Sequence, residues 1–198
     1  AVGSDLIFRR IRPVDEVRFE KTMAALKKGR HAIWCGHPGI GMSTEANFVL
    51  LEFLRHLGDG EDSEWPTKVA HRVSKQLFLY TWNAATSRVE CDMLPGKTLD
   101  DVADFCIYWR RQMRRTKKKP PVLFLELRES EKDPRVSIPT FIALTSDDVQ
   151  TTLKTIIKSQ SWAYFLVRPH EPEEVLLMAK VIFEADPEQL CAHLECET

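Results

Sequence analysis

Short apolar runs alternate with amphipathic stretches along this chain. Ala32-Ile-Trp-Cys35 is an apolar run that reads as a strand. Residues 43–57 read as a helix, with Phe48, Leu50, Leu51, Leu54 and Leu57 at helical spacing toward a core and Gly58 as the stop. Ahead of the strand, 13–28 reads as a first helix with Val17, Phe19, Met23, Ala24 and Leu26 set among charges. A polar, acidic loop over 58–65 follows. Next come strands over 68–73 and 76–82, a turn at Asn83-Ala-Ala-Thr86, and a returning strand over 88–94, which together predict a β-hairpin. Pro95-Gly96 breaks the chain. Thr98 caps a helix that carries Asp100 and Asp101 in its first turn and an apolar stripe of Val102, Phe105, Cys106 and Trp109.

In the second half, Val122 to Leu127 is an apolar run bounded by prolines and charges, as in a buried parallel strand. Further strands are predicted over 140–144 and 162–167, and helices over about 147–158, 172–184 and 187–194, the second with proline in its first turn. Strands alternating with helices predict an α/β fold with a mainly parallel sheet flanked by helices and an inserted β-hairpin. The length, 198 residues, suits a single domain with a helical lead-in over 1–30 and a helical tail over 185–198 whose end is compatible with truncation. The chain contains no internal repeat and no low-complexity tract.

The junction between the first strand and its helix carries the clearest chemistry. Gly36-His37-Pro38-Gly39-Ile40-Gly41-Met42-Ser43-Thr44 has the shape of a phosphate-binding P-loop, G-x-x-x-x-G-K-[ST], with methionine at the lysine position. The glycines let main-chain N–H groups turn toward an anion, and the helix aims its positive dipole end at the same point. Ser43 stands at the magnesium-binding hydroxyl. His37 either donates to phosphate or points into solvent, and a glycine turn without a ligand is the competing reading of the whole loop. A lysine ammonium ~4 Å from a phosphate is worth roughly 1–4 kcal/mol for effective dielectrics of 80 to 20, so its loss weakens triphosphate binding by about ten- to several-hundredfold. The transition state for phosphoryl transfer loses more.

Such a fold needs an acidic residue at the end of a neighbouring buried strand to hold magnesium. Glu126 is the candidate, one methylene longer than aspartate, with Glu129 as a helper and Arg128 able to neutralise either. Its alternative is a strand end at the surface. Thr145 and Ser146 stand at the tip of the next strand, as phosphate sensors or as a cap for the helix after them.

Charge and cysteines narrow the setting. The net charge of −1 excludes a polyanion binder by bulk charge. Five irregularly spaced cysteines (35, 91, 106, 191 and 196) form neither a zinc pattern nor a disulfide framework, so reduced thiols in an intracellular setting are expected, with Cys35 a small core residue. No run is long enough to span a bilayer and no secretory signal opens the chain, which starts at Ala1 as a processed form or excised domain would. One local departure is strong: Arg110, Arg111, Arg114, Arg115, Lys117, Lys118 and Lys119 place seven positive charges in ten residues. That run reads as a nuclear import signal, as a contact to a nucleic-acid backbone, or as a helix end complementing its dipole and trailing into solvent. The part from Glu171 onward is acidic, able to mask the basic run or oppose a basic partner.

With these segments laid out, the chain resembles the retrotransposon hot spot proteins of trypanosomes, whose ATPase module is related to that of the Crinkler effectors. The likeness lies in Gly36-His-Pro-Gly-Ile-Gly-Met-Ser43 with Phe48-Val-Leu-Leu-Glu-Phe-Leu54, where the family has G-x-P-G-I-G-K-S and a leucine-rich helix. It continues in Leu77-Phe-Leu-Tyr-Thr-Trp-Asn-Ala-Ala-Thr86, in Leu125-Glu126, and in Ala143-Leu-Thr-Ser146 leading to Phe165-Leu-Val-Arg-Pro-His-Glu-Pro-Glu-Glu174. It spans most of 31–184, and only the first stretch is specific. The resemblance implies a P-loop NTPase core, often nuclear, with links to transcription and RNA metabolism. Met42 and Glu126 depart at the positions that carry nucleotide chemistry, so ATPase activity does not carry across.

Three expectations follow. The first is a degenerate P-loop NTPase-like domain with weak ATP and magnesium binding and impaired hydrolysis, serving as a binding or scaffold module for an unidentified protein partner, with oligomerisation and a nuclear setting compatible with it. The second is an active ATPase that takes its cation from elsewhere or from another subunit. The third is a nucleic-acid-binding protein acting through 110–119.

Overall fold

The computed structural model describes residues 13–38, 42–59, 65–73, 75–96, 98–116, 119–128, 136–146 and 162–167. The helices expected over 147–158, 172–184 and 187–194, and the acidic part from Glu171, lie outside the described residues. Residues Arg18–Val167 form one compact unit; residues 1–17 and 168–198 group as another, of which only 13–17 is described.

The architecture is mixed α/β, a largely parallel sheet with helices on its faces. Helix α1 is Pro13–Lys27, strand β1 is His31–Gly36 and helix α2 is Met42–Arg55. Strands β2 (Lys68–Val73), β3 (Gln76–Asn83) and β4 (Arg88–Pro95) precede helix α3 (Leu99–Thr116). Strands β5 (Val122–Arg128), β6 (Thr140–Thr145) and β7 (Trp162–Leu166) complete the described elements. The seven strands lie in the order β4-β3-β2-β5-β6-β1-β7. β2, β5, β6, β1 and β7 run parallel, and the β3–β4 hairpin extends the β2 edge antiparallel.

Burial explains why the central strands read as continuous apolar runs. On one face Ala32, Trp34, Val122, Phe124, Phe141 and Ala143 meet Met23 and Leu26 of α1 and Val49, Leu50 and Phe53 of α2. On the other, Ile33, Cys35, Leu123, Leu125, Ile142 and Leu144 meet Val102, Phe105 and Cys106 of α3. The stripe expected on α2 is partly shifted: Leu51 is 48% exposed, while Val49 and Phe53 are fully buried. The apolar arc of α2 is wide enough that sequence spacing alone does not choose its centre.

Two local devices fix the hairpin and α3. Thr98 N–H donates to Asp101 Oδ2 at 2.8 Å and Asp101 N–H donates to Thr98 Oγ1 at 3.2 Å, a reciprocal cap that starts α3. Arg72 Nε donates to the Gly96 carbonyl at 3.0 Å. A Cβ on Gly96 would lie 2.6 Å from both Cβ and N of Leu77, so only glycine lets the chain pass there.

His31, at the start of β1, lies against Trp162 with ring centroids 4.7 Å apart and the planes tilted by 37°. Burial lowers its pKa from 6.5 to about 4. Between those values the unfolded chain takes a proton that the folded one refuses. Stability is therefore fully present above pH ~6.5 and falls as the pH drops toward ~4, by up to about 1.4 kcal/mol per pH unit. His31→Phe is expected to flatten that part of a urea-denaturation pH profile, whereas an unchanged slope would mean that His31 stays solvated.

Candidate functional site

The site is built at the carboxyl ends of the parallel strands. The chain leaves β1 through α2 toward β2 on one side, while β6 is followed by β7 on the opposite side of β1. Adjacent strands whose connections depart in opposite directions leave a crevice beyond their carboxyl ends, the usual ligand position in open α/β sheets. The end of β1 is held on both sides: Ser146 N–H donates to the Gly36 carbonyl at 3.2 Å and Val167 N–H to the Cys35 carbonyl at 2.7 Å. Thr145 pairs in register with Gly36. The two sensor candidates thus flank the start of the glycine loop, Ser146 buried and Thr145 half-buried.

Within the loop, His37 and Pro38 are exposed, and Gly39, Ile40, Gly41 and the side chain of Thr44 lie outside the described residues. The chain re-enters at Met42, the first residue of α2. Met42 is 2% exposed and packs in the same cluster as Trp34, Ala46 and Phe141. A thioether has no charge to keep it in water, so the first helical residue turns inward. Ser43, next along, is exposed, and its Oγ donates to Glu126 Oε2 at 3.1 Å across 83 residues of sequence. Glu126 is half-buried within β5 and does not simply end it at the surface. Glu129 and the side chain of Arg128 lie outside the described residues.

Sequence reasoning missed two neighbours of this pair. His71 on β2 and Asn47 on α2 line, with Glu126 and Phe124, a cavity of about 10 Å³. That volume admits one water at most. Burial holds the His71 imidazole below its ordinary 6.5, and the Glu126 carboxylate opposes this more weakly. Alternation along β2 sets His71 on the face of Val69, but only the strand order brings that face beside β5.

A buried polar network braces the first turn of α2. Arg18 of α1 pairs with Glu45, and its guanidinium lies 4.6 Å from the centroid of the Trp34 ring. Trp34 Nε1 donates to Thr22 Oγ1 at 2.8 Å. Nothing in the sequence pattern links positions 27 residues apart as a charge pair.

Cys35 is core, its thiol pushed up to about 12 by burial, and Cys106 is raised to about 11 for the same reason. Cys91 is exposed, while Cys191 and Cys196 lie outside the described residues. Among the described residues no group of three or more His, Cys, Asp or Glu is arranged to hold a metal ion. Among them, too, no helix is long and apolar enough to cross a membrane. Of the basic run, Arg110, Arg111, Arg114 and Arg115 are exposed on α3 and Lys119 is exposed ahead of β5, with Lys117 and Lys118 outside the described residues.

No family model, curated protein or solved structure matches the chain.

Proposed function

We propose that this chain is a degenerate P-loop NTPase-like module that binds nucleoside triphosphate weakly, does not hydrolyse it efficiently, and serves as a binding or scaffold element. The observation that carries the reading is the Ser43–Glu126 contact at 3.1 Å, a hydroxyl in the first turn of α2 and a carboxylate on a buried strand, beside the glycine-rich sequence 36–41. Two adjacent ligands of an octahedral magnesium, each at about 2.1 Å, stand about 3 Å apart, so this pair suits such an ion. Magnesium held by one carboxylate and one hydroxyl keeps several waters and relies on substrate phosphates for the rest of its shell. When bound there it would neutralise phosphate charge. The chain's own described contribution is the Ser43 hydroxyl, the Glu126 carboxylate and the α2 dipole.

Hydrolysis lacks its usual cation in this reading. Met42 lies in the core, and Arg18 is committed to Glu45 and Trp34. On the same reading the chain is a diverged relative of the retrotransposon hot spot ATPase modules, and a nuclear setting goes with it.

Titration of Mg-ATP calorimetrically into the full chain is expected to give weak, magnesium-dependent binding. Ser43→Ala and Glu126→Gln should each reduce it by about tenfold or more, the loss of one charge-assisted contact. Binding that ignores both substitutions would overturn the proposal.

A further inference from the structure

The basic run is not absorbed by that site. In α3, Val102, Phe105 and Cys106 are buried, and the opposite face is open. Along that open face stand Asp104, Ile107, Tyr108, Arg111, Arg114 and Arg115, with Arg110 at its margin, all exposed. Ile107 is 44% and Tyr108 54% exposed. Among the described residues none of the four arginines takes part in an ion pair or a hydrogen bond.

Helix capping accounts for part of this charge only. The dipole acts within the last turn, which holds Arg114 and Arg115. Arg110 and Arg111 sit a turn earlier. Four guanidinium groups in two turns, without carboxylate partners, form a positive strip. Arginine in place of lysine favours planar, two-pronged recognition of phosphate. Tyr108, Arg111 and Arg115 fall at i, i+3 and i+7, one line along the helix. They combine an exposed ring with two cations.

We propose that the carboxyl-terminal half of α3 is a docking strip for single-stranded nucleic acid, with Arg111 and Arg115 on backbone phosphates and Tyr108 stacked on a base. Charge complementarity alone would also suit an acidic protein. The exposed aromatic ring in line with the arginines favours the nucleic acid, because every base offers a face to stack on. This strip is separate from the Ser43–Glu126 site and does not depend on nucleotide binding there.

The test is fluorescence anisotropy of the full chain with a labelled oligothymidylate of about 15 nucleotides, from about 50 to 200 mM salt. Wild-type affinity should fall steeply with salt. The Arg111→Gln/Arg115→Gln double variant should lower the slope of log K against log salt by about 1.4, or about 0.7 per lost phosphate contact. Tyr108→Ala should weaken binding by about 5- to 150-fold, and Tyr108→Phe should bind like wild type. All these positions are exposed, so circular dichroism should show the fold retained. Absence of wild-type binding, or a double variant with unchanged affinity and slope, would overturn the proposal. So would polyglutamate binding as tightly as the oligonucleotide with Tyr108→Ala having no effect, which would point to an acidic protein instead.

Discussion

Arg18→Ala is expected to lower the free energy of unfolding by about 3–5 kcal/mol, the range for stranding one member of a buried ion pair. The Arg18 and Glu45 side chains are only 5% and 9% exposed, so water cannot replace the lost partner. The change also removes the guanidinium from the Trp34 ring. Against a usual total of about 5–15 kcal/mol, such a loss leaves a barely folded chain. Glu45→Ala should be comparably damaging. The double variant Arg18→Met/Glu45→Leu should recover most of the loss, because an apolar pair of similar volume avoids desolvating two charges. Urea denaturation reads all three. Single variants within ~1 kcal/mol of wild type would mean the pair is screened as a surface bridge is.

Met42→Lys, which restores the lysine of the loop pattern, is expected to destabilise the chain by about 2–5 kcal/mol without creating an ATPase. That range is the one for removing a buried methionine side chain. The incoming ammonium would have to leave a cluster that includes Trp34, Ala46 and Phe141. Met42→Leu conserves apolar volume and should cost less than about 1.5 kcal/mol. A stable Met42→Lys variant that binds ATP more tightly would show that the position opens toward the loop.

The fold was largely legible because its central strands are buried on both faces. Ala32–Cys35 reads as an apolar run, Val122–Leu127 as one interrupted by Glu126 and Thr140–Leu144 as one opened by a threonine, and each lies within a parallel strand. The hairpin was legible from its turn: Asn83 Oδ1 accepts from Ala85 N–H at 2.9 Å, a local bond that needs no tertiary context. Ser43 and Glu126 were each readable as candidates, since one follows a glycine loop and the other is an acid in an apolar run. Their contact was not, because it depends on β6 lying between β1 and β5. The inward turn of Met42, the Arg18–Glu45 pair and the place of His71 were hidden for the same reason. Each depends on which helix covers which face, and that order is a long-range property of the packed sheet.

The most direct measurement is steady-state phosphate release from Mg-ATP by the purified full chain, followed over a range of protein concentrations. Release no faster than the background of a Ser43→Ala variant is expected at every concentration, alongside weak but measurable nucleotide binding. Turnover at an ordinary enzymatic rate, about 1 s⁻¹ or more, abolished by Ser43→Ala, would contradict it. So would turnover rising steeply with protein concentration, which would mean that another subunit supplies the missing cation.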